Sequence, residues 1–285
     1  MVKALFGFDV ESIYSKDSST DKFVKDAESN KRILSGIDIL MDKYRAERTL
    51  FILGKTLKDF EGYFSNKDFK KLFPNENPLV ELAQHTYNHL TFNPISSVPN
   101  KECVDEKTFI DDVKKANGLM KKVFGKNPVG IRTPYGYSRK IPEQVADSLK
   151  ETGLEYISSC GRDSEDGLNP RIIEEGNLRQ PSKYNSGLLE VPSHGWQDSA
   201  FTGLTNTPLR DVPKNKGEIS SFYKKLFRQA KEIEQKHGQE IYLGFVMHPW
   251  AINIYDSNLE FLSNLMEYTK KENIENKAHR SLLNN

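Results

Sequence analysis

The chain has 285 residues, of which 36% are hydrophobic and 28% charged, with 18 glycines and 13 prolines; that is the composition of a well-solvated globular protein and excludes wholesale disorder. Its 41 basic residues balance 40 acidic ones to a formal charge of +1, so no global field draws it to nucleic acid or to an anionic membrane, and no apolar run reaches the length of a membrane span. Cys103 and Cys160, the two cysteines, do not form a Cys-x-x-Cys pair, which excludes a disulfide framework and a thiolate zinc site and fits a reducing compartment. The apolar N-terminal stretch is too short for a secretory core, and a cytoplasmic location is expected.

In chain order, Val2 to Phe8 is an apolar run that ends in Asp9 and Glu11, as a central strand delivering side chains at its C-terminal end would. Ser12 to Asp21 reads as a loop. Asn30 to Arg48 spaces Ile33, Leu34, Ile37, Leu40, Met41 and Tyr44 as one helix face, and Thr49 to Gly54 is the next strand. Phe60 to Asn77 reads as short helical turns whose aromatics, up to Phe73, permit a self-association surface and hence a homo-oligomer. Pro78 to Gln84 is a buried strand leading into His85-Thr86-Tyr87-Asn88-His89, and Thr91 to Pro99 is a loop. Glu106 to Phe124 is a helix closed by Gly125. Val129 to Ile131 is a brief strand delivering Arg132, ended by the Pro134-Tyr135-Gly136 turn. A helix over Ile141 to Thr152 and a strand over Tyr156 to Cys160 follow. Arg162 to Ser186 is mostly irregular, Leu188 to Pro192 is a strand, and residues 197 to 217 form a long aperiodic stretch of the kind that serves as a lid. Ser220 to His237 is helix, Glu240 to Met247 strand, and Asn258 to Thr269 the last helix.

Strands alternating with helices predict parallel βαβ units, with candidate chemical residues at strand C-termini, and so an α/β barrel or barrel-like sheet of about seven parallel strands with its site on the C-terminal face. No internal repeat or linker divides the chain. A single domain is expected over residues 1–275, with 276–285 a flexible charged tail.

Two imidazoles four residues apart face one point if the segment leaving the strand is helical or tightly turned. A divalent metal held by His85, His89 and one carboxylate would keep an open position for water, while a second carboxylate beside it takes a proton; Asp9 and Glu11, at i and i+2 of a strand, share a face and supply both. Arg132 is placed to orient Asp9 through charge-assisted hydrogen bonds, and His248 to donate a proton to a leaving group. Each piece alone has a plainer reading: a satisfied histidine pair, solvated acids, a surface arginine, a structural imidazole. His194 sits in a Pro–Gly turn and either lines the pocket or serves shape alone. His237 and His279, near helix and chain ends, read as surface residues.

The pieces Phe8-Asp9-Val10-Glu11, His85-Thr86-Tyr87-Asn88-His89, Arg132-Thr133-Pro134-Tyr135 and Leu243 with His248 occur in the order of the motifs of the polysaccharide deacetylases, the NodB-homology or carbohydrate esterase family 4 group, which the chain resembles. The resemblance implies a distorted (β/α) barrel, a divalent metal, usually zinc, and hydrolysis of an N-acetyl group on a sugar. It also implies Asp9 as general base, His85 and His89 as metal ligands, Arg132 as tether of the base, His248 as general acid and the Tyr135 backbone N–H as oxyanion donor. The chain departs from the family at two places. Val10 stands where a second aspartate is common, which makes Glu11 the third ligand by analogy with Asp-x-Asp and Asp-x-Glu members, or else Asp9 itself the ligand. The fourth motif is degenerate over Ser158 to Asp166, with Asp163 as a candidate partner for Arg132. The alternatives to carbohydrate deacetylation are hydrolysis of a cyclic imide, ureide or other small amide on the same fold, and an inactive sugar-binding or scaffold protein.

Overall fold

The computed structural model describes residues 1–14, 19–92, 102–163, 167–204 and 209–284. Strand β1, Val2–Val10, is buried along nearly its whole length because both its faces are covered, Val2, Ala4, Phe6, Phe8 and Val10 in one apolar cluster and Leu5 in another. It pairs in parallel with β10, Ile241–Met247, from Val2↔Ile241 to Phe8↔Met247. Its other edge pairs with β2, Arg48–Ile52, near the C-terminal end and with β11, Glu275–Lys277, near the N-terminal end. The sheet continues through β3, Val80–Gln84, β4, Gly130–Tyr137, β5, Tyr156–Cys160, and β9, Leu189–Glu190, to an antiparallel edge strand β8, Ser182–Lys183. The seven strands from β10 to β9 are mutually parallel, and they curl into the expected distorted α/β barrel. A separate hairpin pairs β6, Ile173–Glu174, with β7, Asn177–Leu178.

Where the curl leaves β10 facing the β9 side without a full ladder, side chains take over the exposed backbone. His194 Nδ1 accepts from Gly244 N at 3.1 Å and its Nε2 donates to Arg179 O at 2.7 Å, while Gln180 bonds both N and O of Tyr242. Burial pushes the His194 imidazole down to about 4, so it remains neutral and keeps the lone pair this seam requires. His194 therefore closes the barrel and is not among the residues lining the cavity.

Helices clothe the outside. Helix α4, Glu106–Phe124, has the expected bounds: Asp105 caps its N-terminus by accepting from Thr108 N, and Gly125 ends it at φ 77°. Helix α1 spans Thr20–Lys43, starting ten residues earlier than expected, because Phe23, Ala27 and Asn30 extend the buried stripe through a segment otherwise full of charge. Arg45, at φ 52°, breaks it before β2. Helices α2, Gly54–Glu61, and α3, Asn66–Leu72, are the expected short turns. Their aromatics point inward: Phe60, Phe64 and Phe73 are buried, with Tyr63 and Phe69 packed against them, which withdraws the exposed surface on which self-association was expected. Helices α5, Glu143–Glu151, α6, Lys216–His237, and α8, Glu260–Lys271, match the expected ones to within a turn. Helix α7, Pro249–Tyr255, follows His248 directly and was not expected; Pro249 begins it, where a missing N–H costs nothing. No described helix is long and apolar enough to cross a membrane. Part of the loop expected over Thr91 to Pro99 lies outside the described residues.

Two further expectations are corrected. β4 does not stop at Pro134. Arg132 pairs with Ser158 and Tyr137 with Cys160, so the strand bulges outward between them, with Tyr135 and Gly136 both at φ 64°. The tail expected to be flexible over 276–285 is packed instead: after β11, a 3-10 turn over His279–Asn284 enters the barrel, with Leu282 in one cluster with Leu5, Phe51, Ala83 and Tyr156 and His279 0% exposed. The charge of this tail disguised two residues that the barrel interior needs to fill its open end.

Removing residues 278–285 strips that interior of its plug. The expected result is a loss of about 3 kcal/mol or more, from apolar area returned to water and hydrogen bonds left unmade, read as a lower urea midpoint. An unchanged midpoint would mean that the tail only rests on the barrel.

Candidate metal and catalytic site

The site begins with alternation along β1. Leu5 and Asp9 face the barrel interior, and Glu11 continues the same face one step past the strand. Gly7, between them, leaves a slot: a Cβ there would lie 2.3 Å from Arg132 Nη2. Through this slot the Arg132 guanidinium, from β4, lies 4.0 Å over the Phe51 ring and donates to Asp9 Oδ1 at 2.6 Å, with both side chains buried. Asp9 Oδ2 is left facing His85 Nε2 at 3.9 Å and His248 Nε2 at 3.8 Å.

His85 and His89 reach the same point through a tight turn, not a helix. Thr86 and His89 adopt φ values of 63° and 64°, and nearly every polar backbone group around them is tied. Gln84 Oε1 accepts from Thr86 N, Thr86 O accepts from Gly54 N, and Tyr87 O accepts from Lys55 N. Asp112, buried on α4, accepts from Tyr87 N, Asn88 N and Asn88 Nδ2 at 2.6 to 2.9 Å. Gly54 is required here because a Cβ would meet the Tyr87 ring at 2.6 Å. The turn is therefore held in shape from below, independently of anything bound above it.

Glu11, His85 and His89 each offer one ligand atom within 4.8 Å of the others. Glu11 Oε2 lies 3.0 Å from His89 Nε2 and 3.9 Å from His85 Nε2, while its other oxygen accepts from Trp250 Nε1 at 3.1 Å. His85 Nδ1 donates to Arg132 O at 2.9 Å, which fixes the tautomer and turns the Nε2 lone pair into the cluster. Burial holds His85 neutral, down at about 4. Burial also pushes the Glu11 carboxyl up, but the imidazoles of His89, His248 and His85 outweigh it and hold the group below the usual carboxylate range. Two neutral-capable imidazoles and one ionised carboxylate, open on one side to a cavity, are a donor set that fits a divalent metal such as zinc.

His248 closes the far side, 3.6 Å from Glu11 Oε1. Its partner is Asp198, fully buried, whose Oδ1 accepts from His248 Nδ1 at 2.6 Å and whose Oδ2 accepts from His248 N at 2.7 Å. Burial pushes the imidazole down, but the carboxylates of Asp198, Glu11 and Asp9 overcome it and raise the group to about 9. Asp198 stands in a 3-10 turn, Asp198–Thr202, inside the stretch expected as a lid. That stretch does line the cavity, through Gln197, Ser199, Leu209 and Arg210; residues 205–208 lie outside the described ones. Asp163, the expected candidate for Arg132, accepts instead from Gly167 N; Arg132 spends its remaining donors on Ser158 Oγ, Phe245 O and His279 Nε2.

All seven residues singled out in the sequence thus line one cavity of about 870 Å³, with Asp9, Glu11, His85, His89, Arg132 and His248 converging and Tyr135 on the wall, its ring 4.7 Å from that of His89. The Tyr135 hydroxyl donates to Glu102, and its carbonyl accepts from Arg162 Nε at 2.8 Å. Sequence reasoning missed Asp112 and Asp198. One is an acid on a helix face and the other an acid in an aperiodic stretch, and neither carries a local signal that separates it from a solvated carboxylate.

A curled parallel barrel with a His–His–carboxylate cluster at the C-terminal strand ends defines a hydrolase-like class of protein. Residues 25–157 match the polysaccharide deacetylase family model, and they contain His85, His89 and Arg132. Over that segment the chain carries a polysaccharide deacetylase domain. Among solved structures it is similar in fold to a Mycobacterium smegmatis protein described as a polysaccharide deacetylase, at 16% identity, covering 99% of this chain and 88% of that one with a TM-score of 0.62. It is similar to the Puue allantoinase at 14% identity, covering 98% and 87% with a TM-score of 0.61. It is also similar to a GH57-type branching enzyme of Pyrococcus horikoshii at 12% identity, covering 99% and 70% with a TM-score of 0.65. No curated protein matches the sequence.

Replacing Asp112 by Ala leaves three N–H donors at the base of the histidine turn without their acceptor. Global stability is expected to fall by about 3 kcal/mol in urea denaturation; a change within 0.5 kcal/mol, the size of an ordinary surface substitution, would show that the turn holds itself.

Proposed function

We propose that this protein is a metal-dependent amidohydrolase that removes the acetyl group from an N-acetylated amino sugar or glycan. The observation that carries the reading is the convergence of a three-ligand cluster, an arginine-tethered carboxylate and a carboxylate-paired imidazole on one cavity wall. His85, His89 and Glu11 would hold the divalent cation, zinc by the character of the donor set, and the bound ion supplies Lewis acidity toward an amide carbonyl and acidifies water near neutral pH.

The protein's own residues account for the proton transfers. Asp9 is the better base of the two acids: Arg132 fixes its Oδ1, leaving Oδ2 toward the cluster to take a proton from the attacking water, whereas Glu11 lies within ligand distance of both imidazoles. The carbonyl oxygen gains negative charge as water adds, and the Tyr135 N–H is the donor assigned to it. His248 faces the cluster from the opposite side and gives its proton to the departing nitrogen as the carbon–nitrogen bond breaks, so that acetate and a free amine leave. Asp198 keeps His248 charged and aimed until then. The aromatic side chains Tyr135, Trp196 and Trp250 line this cavity, and aromatic rings are what sugar rings stack on.

The direct test is acetate release from a panel of N-acetylated amino sugars and their oligomers, run beside ring opening of cyclic imides and ureides, before and after chelation and reloading with zinc. Acetate release that chelation abolishes and zinc restores is expected. Ring opening alone would move the protein to the imide branch, and neither activity would leave a scaffold. In the same assay Asp9→Asn is expected to lower kcat about a thousandfold with metal content unchanged; loss of the ion instead would make Asp9 the ligand.

The pH dependence follows from His248. An acid must be protonated to act, so kcat/KM falls as pH rises through its pKa. A bound cation facing the ring lowers that pKa from about 9, the value the carboxylates alone set. Asp198→Asn removes a negative charge that favours the imidazolium, so the alkaline limb of the profile is expected to move to lower pH. A limb that stays in place would assign it to another group.

A further inference from the structure

We infer that His279, on the last turn of the chain, is a positioning residue for this site: it accepts a hydrogen bond from Arg132 and so fixes the guanidinium that holds Asp9. The inference rests on the reading of Asp9 as base, but the contact itself does not.

The hydrogen-bond directions can be derived from end to end. Thr49 Oγ1 donates to Glu81 Oε2 at 2.8 Å, so toward His279 that hydroxyl can only accept. It accepts twice, from His279 N and from His279 Nδ1, each at 3.0 Å. The ring proton is therefore on Nδ1, and the Nε2 lone pair faces Arg132 Nη2 at 3.3 Å. Tyr156 Oη and Arg280 N also donate to Glu81, both at 2.9 Å, which anchors the far end. A continuous chain thus runs from the buried Glu81 through Thr49, His279 and Arg132 to Asp9. Burial and the adjacent guanidinium both hold the imidazole neutral, as an acceptor must be.

The ring has no freedom to serve another partner. It stands edge-on to Phe51 with centroids 5.0 Å apart and stacks at 21° on Tyr156 at 5.9 Å. His279 is not among the residues lining the cavity; it acts on the site only through Arg132. The guanidinium needs such a stop. It lies in the slot that Gly7 leaves, Phe51 supports one face, and beyond Asp9 its nitrogens meet Ser158 Oγ at 3.4 Å and Phe245 O and His279 Nε2 at 3.3 Å each, of which His279 is the side chain whose own partners fix its orientation. A displacement of about 1 Å at a positioning group can cost about a hundredfold in rate.

The test compares three variants of the full chain by steady-state kinetics, thermal melting and nitrogen-15 NMR of the Arg132 side chain. His279→Phe keeps an aromatic ring between Phe51 and Tyr156 but has no acceptor; kcat is expected to fall about a hundredfold with KM within about twofold, and the separate, slowly exchanging Nη–H signals of Arg132 to collapse. His279→Gln, whose amide oxygen can accept, is expected to recover part of both. Leu282→Ala loosens the same segment without touching Arg132, and is expected to melt lower while keeping kcat and the Arg132 signals. If His279→Phe does not fold, Thr49→Val replaces it: the Nδ1 proton loses its acceptor, the ring is free to take the other tautomer, and the same loss in kcat and signal is expected. A folded His279→Phe, or Thr49→Val in its place, with wild-type kcat and Arg132 signals overturns the inference, as does a kcat loss in Leu282→Ala equal to that in His279→Phe. Should the wild-type protein release no acetate, the proposed function falls while the NMR comparison still decides whether His279 fixes Arg132.

Discussion

The ion pair between Arg132 and Asp9 is the constraint around which the rest of the barrel is arranged. A guanidinium and a carboxylate taken out of water each lose several kcal/mol of hydration, and their attraction offsets this only if the remaining donors and lone pairs are met. The barrel meets them with unusual thoroughness. It omits a side chain at Gly7, lays Phe51 beneath the cation and turns Ser158, Phe245 and His279 toward its nitrogens. The carboxylate keeps one oxygen on the arginine and the other toward the cavity. A packed apolar pair would fold as well; what the charged pair adds is a carboxylate held in one orientation at the wall of the cavity.

The same economy recurs at each histidine of the cavity, where a second group sets direction. His85 is aimed by Arg132 O, His89 by a turn tied to Asp112, Gln84 and the start of α2, and His248 by Asp198. None of these supports needs a bound cation to form. The ligand atoms of Glu11, His85 and His89 already lie close together, so little reorganisation would accompany binding. The support is drawn from distant parts of the chain, since Asp9 and Arg132 are 123 residues apart and His248 and Asp198 are 50 apart. Closing the barrel is what joins them, and the seam at His194, Gln180 and β10 is as much a condition of the site as any ligand.

Much of this was legible in the amino-acid order. Continuous apolar runs and period-3.6 stripes are local, so β1, β3, β5, α4 and β10 could be placed almost to the residue, and their alternation implied a parallel barrel. The seven residues that line the cavity were legible for a related reason: each sits where an apolar run meets a polar turn, and parallel strands deliver such junctions to one end of the barrel. What misled was charge read as exposure. The lysine- and acid-rich beginning of α1, the aromatic stretch around α2 and α3, and the tail from Glu275 all carry enough polar residues to look solvated, and each hides a few positions that the core requires.

The sequence by itself therefore determined the class of fold and the identity of the side chains that converge at the C-terminal end of the barrel, because these depend on local periodicity and on residue type. Only the tertiary structure decided who supports whom: Asp198 with His248, Asp112 under the histidine turn, His279 against Arg132, and Asp163 at Gly167. A hydrogen bond between residues far apart in the chain leaves no trace in the pattern around either one. Its existence depends on ångström-scale placement that only the folded core supplies.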